Sequence, residues 1–353
     1  MAEEASRRGP SLRKSVILIS AGFLVFVAYL YFFVGFSDIL EVLEEVNPVN
    51  YLFYYSLAII IVLVSMLFYS MTWHELLRIL SVRIRLRESF IYCWIGSFVD
   101  LVIPMEAVTG EITRIYLVTR NSKGHVGRIV ASTVSHRIIS MMTVLVSLII
   151  CSASLIFRYK VQEYVVNLLM IVAVGTFASI VLILYLSVRK EATEKIVDPL
   201  LRFAAFVSKG HLKLDDLRIR AERTLNSFYQ GIDLIGGQPL SLIKPVVFNF
   251  ASWFFHMAIY ILVFYALGFT EISLEVSIVV YSISVAVQTI PIGLPVGLVE
   301  IVMTTLYNLF GIPLAVSGTA TALIRFVTFW FLIIVGYAIT QWIGIKTLME
   351  RAG

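Results

Sequence analysis

The chain has 353 residues, 59% of them hydrophobic and only 14% charged, with a formal net charge of +5. Several apolar runs exceed the ~20 residues that cross a bilayer, so the fold class is an all-α polytopic membrane bundle with no separate soluble catalytic domain. The positive balance fits cytoplasmic loops rich in Lys and Arg and calls for no nucleic acid. Cys93 and Cys151 both stand in apolar surroundings and read as small core hydrophobes, so no disulfide, metal site or cofactor is expected.

Spans follow from apolar length, and orientation follows from the bias of basic residues between loops. A first helix over Val16–Phe36 is too long for a signal-peptide core and is expected to stay as an anchor. Before it stand Arg7, Arg8, Arg13 and Lys14, whereas the loop after it holds Asp38, Glu41, Glu44 and Glu45, which places the N-terminus in the cytoplasm. A second helix, Val49–Met71, returns to a basic loop with Arg78, Arg83, Arg85 and Arg87.

Residues 89–118 come next, broken by Pro104 and Gly110 and carrying Asp100, Glu106, Glu111 and Arg114. The loop that follows, with Arg120, Lys123, His125 and Arg128, is basic again, and two cytoplasmic loops cannot flank one full crossing. The segment therefore predicts a re-entrant hairpin that dips in from the cytoplasm, since non-helical backbone at membrane depth is tolerated where it lines a cavity. Helices over Ile129–Phe157, with His136 and Arg137 inside, and Tyr164–Ser187 follow. Residues 189–238 are mixed in charge; Leu214, Leu217, Ala221, Leu225, Phe228, Ile232 and Ile235 recur every three or four positions, predicting an amphipathic helix that lies at the cytoplasmic interface or caps the bundle.

A helix over Pro245–Leu267 leads to an acidic outer loop with Glu271 and Glu275. Its Trp253, Phe254, Phe255 and His256 read as packing or an interfacial belt. The run 272–310 is broken by Pro291, Gly293, Pro295 and Gly297 and carries Glu300; a last helix, Leu314–Ile345, holds Arg325 and ends at Lys346, Glu350 and Arg351. With that basic end in the cytoplasm, 272–310 is a second hairpin, entering from outside. The whole of 1–353 is then one transmembrane domain with about six full crossings, two re-entrant hairpins and both termini cytoplasmic, in the cell membrane.

Each hairpin runs Pro, Gly, Glu and is followed by a helix with a buried Arg: Glu111 precedes Arg137 by 26 residues and Glu300 precedes Arg325 by 25. Opposite entry sides make these two units inverted-topology repeats, a plan whose binding sites lie near the midplane between repeats. Arg137 lies nine residues beyond Arg128, about 13 Å deep, and Arg325 eleven beyond Leu314, about 16 Å deep, so the two approach the middle of a ~30 Å core from opposite faces. A guanidinium binds phosphate through two parallel hydrogen bonds, and helix starts at Gly110 and Gly297 add free N–H groups toward the same anion. Glu111 and Glu300 hold the arginines when the site is empty, or serve only as acids in a helix first turn. Arg114 either snorkels to the interface or contacts phosphate, and His136 is either a packed core histidine or a site residue.

The same residues resemble a family. Gly96, Asp100, Pro104, Thr109-Gly110-Glu111, Arg114, Leu117 and His136-Arg137, then Pro291, Gly293, Pro295, Gly297 and Glu300 followed by Arg325, look like the flippase-like transmembrane region of lysylphosphatidylglycerol synthases. The pattern departs at Asp100, where Asn is expected, and at Thr109-Gly110, where a glycine pair is expected. The resemblance implies a stand-alone member, without the aminoacyltransferase domain, that moves an aminoacyl-phospholipid or a polyprenyl-phosphate-linked sugar between leaflets. The substrate-binding set is then Glu111, Arg114, Arg137, Glu300, Arg325, Gly110, Gly297 and His136, with no catalytic residue. The partners are an anionic lipid headgroup or lipid-linked sugar and the membrane, and association into a homo-oligomer stays open. The alternative is an integral membrane enzyme or accessory subunit acting on polyprenyl-phosphate lipids in envelope glycan synthesis; no DxD or HExxH signature supports the enzyme.

Overall fold

The computed structural model describes residues 20, 23–103, 108–121, 126–158, 162–207, 214–288 and 295–352. Pro104, Glu106, Lys123, His125, Pro291 and Gly293, and the charged N-terminus with the start of the first predicted helix, lie outside the described residues.

The described residues are mostly helical, joined by short turns, and none of them is in a strand. α1 (Phe23–Phe32) and α2 (Phe36–Glu45) meet at an 84° bend, through a π-turn over Leu30–Gly35 in which Gly35 takes φ +90°. The expected straight anchor over Val16–Phe36 is thus folded over at its end, because Gly35 alone there adopts the left-handed conformation without a Cβ penalty. α3 (Pro48–Ile79) starts where the Asn47 side chain accepts from the backbone N–H groups of Val49 and Asn50, with Pro48 at the first helical position. α4 (Leu86–Val102) and α5 (Thr109–Asn121) pack on each other as the two arms of a hairpin. α6 (Val126–Arg158) and α7 (Glu163–Val188) are long and apolar, and α7 is covered least by protein.

The predicted amphipathic segment forms two helices, α8 (Lys190–Val207) and α9 (Leu214–Gly236). Phe228 and Ile235 of α9 bury against Trp73, Leu77, Leu80, Val118 and Ile129, so the apolar face read from the sequence caps the bundle. The clamp between the two helices is Asp198, whose carboxylate accepts from Arg218 and Arg202 at 2.7–3.0 Å. Hydrogen bonds from Arg218 above all, and from Arg202, hold that carboxyl below its ordinary range.

α10 (Ile243–Ala266) runs along α3, α11 (Leu274–Gln288) and α12 (Pro295–Leu309) form the second hairpin, and α13 (Leu314–Arg325) joins α14 (Phe331–Ala352) through a π-turn, Phe326–Trp330. The expected helix over Leu314–Ile345 runs as one span, Leu314–Ile343, with the π-turn set into it directly after Arg325. Among the described residues five helices are long and apolar enough to cross a bilayer, or six with the bent α1–α2 pair. The hairpin arms are shorter: fifteen residues in α11 and in α12 rise only about 22 Å, less than a ~30 Å hydrocarbon core.

The packing of the two halves is reciprocal. The first arm of hairpin one, α4, lies on α14, the helix that follows hairpin two; the first arm of hairpin two, α11, lies on α6, the helix that follows hairpin one. At the crossing of α3 and α10, Ser65 Oγ donates to the Ser252 carbonyl and Ser252 Oγ to the Ser65 carbonyl, both at 2.9 Å. Two bonds exchanged between one residue of each helix place the relation between the halves at this point.

Candidate functional site

Gly297 has φ +93° and ψ −59°, so regular helix in α12 begins only after it, and the open turn leaves its N–H free for Glu300. Glu300 Oε2 accepts that N–H at 2.6 Å, while Oε1 accepts from Arg325 Nε at 2.6 Å. Only 1% of the glutamate side chain and 8% of the arginine side chain are exposed, so this pair is dry. The guanidinium lies 4.4 Å over the Phe329 ring, brought round by the π-turn, and Nη2 has no partner among the described residues.

The first half repeats the pair in looser form. Arg137 Nη1 stands 3.7 Å from Glu111 Oε1, with 36% and 22% of the side chains exposed. The register is nearly constant: Ser65 to Ser252 is 187 positions, Arg137 to Arg325 is 188, and Glu111 to Glu300 is 189. What differs is who caps the second arm. Here Asp100, from the first arm, accepts from Gly110 N at 2.6 Å and Thr109 Oγ1 at 3.1 Å. In the second half Glu300 does both jobs, capping and holding arginine; in the first they are divided between Asp100 and Glu111. Glu111 can therefore release Arg137 without uncapping its helix.

Gly110 is required by space as well as by its N–H. A Cβ there would run into the Gly96 carbonyl oxygen and the Asp100 carboxylate. Gly110→Ala is expected to push the hairpin arms apart and destabilise the protein by about 1–3 kcal/mol. Gly175→Ala, where a Cβ meets nothing within 4 Å, is the neutral control, and thermal unfolding in detergent compares them.

Arg114 does not snorkel: it is 4% exposed, under the rings of Trp73 and Tyr69 at 5.1 and 5.7 Å. Nη1 lies 3.3 Å from His136 Nδ1 and 3.9 Å from Cys93 Sγ. A guanidinium only donates, so His136 Nδ1 is the acceptor and the imidazole proton sits on Nε2, which has no partner among the described residues. No carboxylate among the described residues lies within ion-pair distance of Arg114.

Between the halves is a cavity of about 220 Å³. Its wall carries residues matched in the same register, Ser65 with Ser252, Met66 with Trp253, Tyr69 with His256 (187 positions each) and Val144 with Leu332 (188). None of the eight residues predicted from the sequence lines it. Tyr69 is the link, its ring 4.4 Å from that of His136 and its face toward Arg114. Trp253 and His256 pack inside the bundle and line the cavity, the packing alternative of their reading, whereas Phe254 faces outward, 60% exposed. A signal for the wall existed in the sequence, in polar Ser65, Asn249, Ser252 and His256 inside otherwise apolar spans. A larger hollow of about 460 Å³ is open at the surface between α6 and α9 and holds none of the predicted charges.

The sequence profile of the lysylphosphatidylglycerol synthase TM region matches residues 17–336. The chain belongs to this family. Among proteins similar to it is a UPF0104 membrane protein of Methanothermobacter thermautotrophicus, 24% identical over 334 residues, which are 94% of this chain and 96% of that one. UPF0104 membrane proteins of Pyrococcus horikoshii (22% identical, 84% and 86% covered) and Methanocaldococcus jannaschii (23% identical, 92% and 94% covered) are similar in the same way. The matches span 96%, 86% and 94% of these relatives' own lengths.

Proposed function

We propose that the protein is a lipid flippase, carrying a phosphate-bearing lipid such as an aminoacyl-phospholipid or a polyprenyl-phosphate-linked sugar from one leaflet to the other. The observation that carries this reading is the duplicated Glu–Arg pair, Glu111–Arg137 loose and Glu300–Arg325 dry, at one register in both halves. Charges at membrane depth are costly, and a structural ion pair needs no copy in a second half. In this reading the hairpins are re-entrant and the halves inverted, so the two arginines serve opposite leaflets. The loose pair is the half open to a headgroup, and the dry pair is the half that is closed.

Each guanidinium takes the lipid phosphate as its glutamate lets go, and the passage involves no bond making, so the protein is not an enzyme. The termini are cytoplasmic and the site of action is the cell membrane. The test is a reconstituted vesicle assay that follows labelled anionic lipid between leaflets. The intact protein is expected to equilibrate the label, and movement of no phosphate-bearing lipid above that of protein-free vesicles defeats the reading.

A further inference from the structure

We propose that the cavity between the two halves is a binding subsite for a single uncharged, hydroxyl-rich ring of the kind a sugar headgroup presents. The inference rests on the transport reading for the lipid attached to that ring, but its chemistry comes from the wall. Ser65 and Ser252 spend their hydroxyls on each other's carbonyls, and Asn249 is held by Ser140 and Thr143 at 2.9 and 2.8 Å. Four other polar groups are unspent. The hydroxyls of Tyr69, Tyr281 and Ser97 and the His256 ring nitrogens make no hydrogen bond with another described residue. Among the described residues the wall contains no Asp, Glu, Lys or Arg.

A ligand that satisfies such a wall must both donate and accept. The hydroxyls of Tyr69, Tyr281 and Ser97 both donate and accept, so an ammonium, which only donates, leaves their protons orphaned. A buried polar group left unpaired costs about 1–3 kcal/mol, whereas a sugar hydroxyl pairs with it. Arg114 acts in the same direction: its guanidinium lies 5.7 Å behind the Tyr69 ring without a carboxylate partner among the described residues, which disfavours a cationic headgroup and favours a phosphate nearby. Tyr69, Trp253 and Tyr281 put three aromatic rings in the wall, the side chains on which the C–H faces of a sugar pack. Size agrees as well, because 220 Å³ is the room of about seven waters, enough for one ring but not for a whole lipid.

The experiment uses the full chain in phosphatidylcholine nanodiscs and measures binding of four probes: a short-chain polyprenyl-phosphate hexose, the same lipid phosphate without sugar, free hexose and lysylphosphatidylglycerol. The sugar lipid is expected to bind about tenfold more tightly than its sugar-free form. Tyr281→Phe, which deletes only a hydroxyl, is expected to remove about that factor for the sugar lipid and leave the sugar-free lipid unchanged. Tyr69→Phe provides the same reading if Tyr281→Phe fails to fold. Free hexose that competes with the sugar lipid supports the subsite and makes a soluble sugar its source; free hexose that does not compete supports a lipid-borne ring. Equal affinity with and without sugar, or tighter binding of lysylphosphatidylglycerol, overturns the proposal. Ring-dependent binding in a protein that moves no lipid defeats the transport reading alone.

Discussion

Glu300→Gln is expected to destabilise the folded protein by about 3–5 kcal/mol, the cost of leaving one buried charge without its partner. Arg325 cannot escape by losing its proton, because a guanidinium stays charged in any protein setting. Its side chain is 8% exposed, and the glutamate oxygen 2.6 Å away is the one carboxylate among the described residues within ion-pair distance. The Phe329 face at 4.4 Å compensates only in part, since a cation over a ring is worth about 2 kcal/mol at best. A glutamine also cannot serve both contacts as the carboxylate does, and the Gly297 N–H loses a charged acceptor.

A double variant separates stability from function. Glu300→Leu with Arg325→Met replaces the pair by apolar groups of similar volume, a change that is commonly neutral or stabilising. The lost cap on Gly297 costs about 1 kcal/mol, so the double variant is expected to unfold close to the parent and well above Glu300→Gln. Thermal unfolding in detergent gives the order. A single variant as stable as the parent would mean that water reaches the pair and that the site is not dry. The double variant is also expected to lose lipid movement in vesicles while it stays folded, which a purely structural pair would not do.

The parts of the molecule that were readable in its sequence are those where one residue decides the outcome. Long apolar runs give α3, α6, α7 and α10, because a helix in lipid satisfies its own backbone and needs no partner to be specified. Charges inside such runs stand out for the same reason, and the Glu111–Arg137 and Glu300–Arg325 pairs follow from matching intervals. The division of labour between Asp100 and Glu111 was hidden, since it depends on which acid reaches back to Gly110 across the hairpin. The cavity was hidden more deeply. Ser65, Asn249 and Ser252 are polar marks inside apolar spans, but only the crossing of α3 and α10 gathers them with Trp253 into one wall. The π-turn after Arg325 and the bend at Gly35 likewise arise from packing around them, with no periodicity that marks them beforehand.

Arg137→Ala is expected to leave stability within about 1 kcal/mol of the parent, as for any half-exposed pair, yet to slow lipid movement by about 10- to 150-fold. The two numbers differ because the roles differ. At 3.7 Å and 36% exposure the guanidinium contributes little to holding the fold, but a charge-assisted bond to phosphate is worth about 1.5–3 kcal/mol. Arg137→Lys is expected to fall between, since an ammonium binds phosphate without the two parallel bonds of a guanidinium. Glu111→Gln turns the argument round. The carboxylate competes with the phosphate for the same guanidinium, so removing its charge is expected to tighten binding of the lipid phosphate while slowing its release and hence its movement. Asp100 keeps the helix capped in that variant, so folding is not the confounder it is for Glu300. Binding of a labelled phosphate-bearing lipid, measured beside its transbilayer rate, decides: weaker binding in Glu111→Gln would make the glutamate a substrate contact and remove it as the competitor that lets the headgroup go.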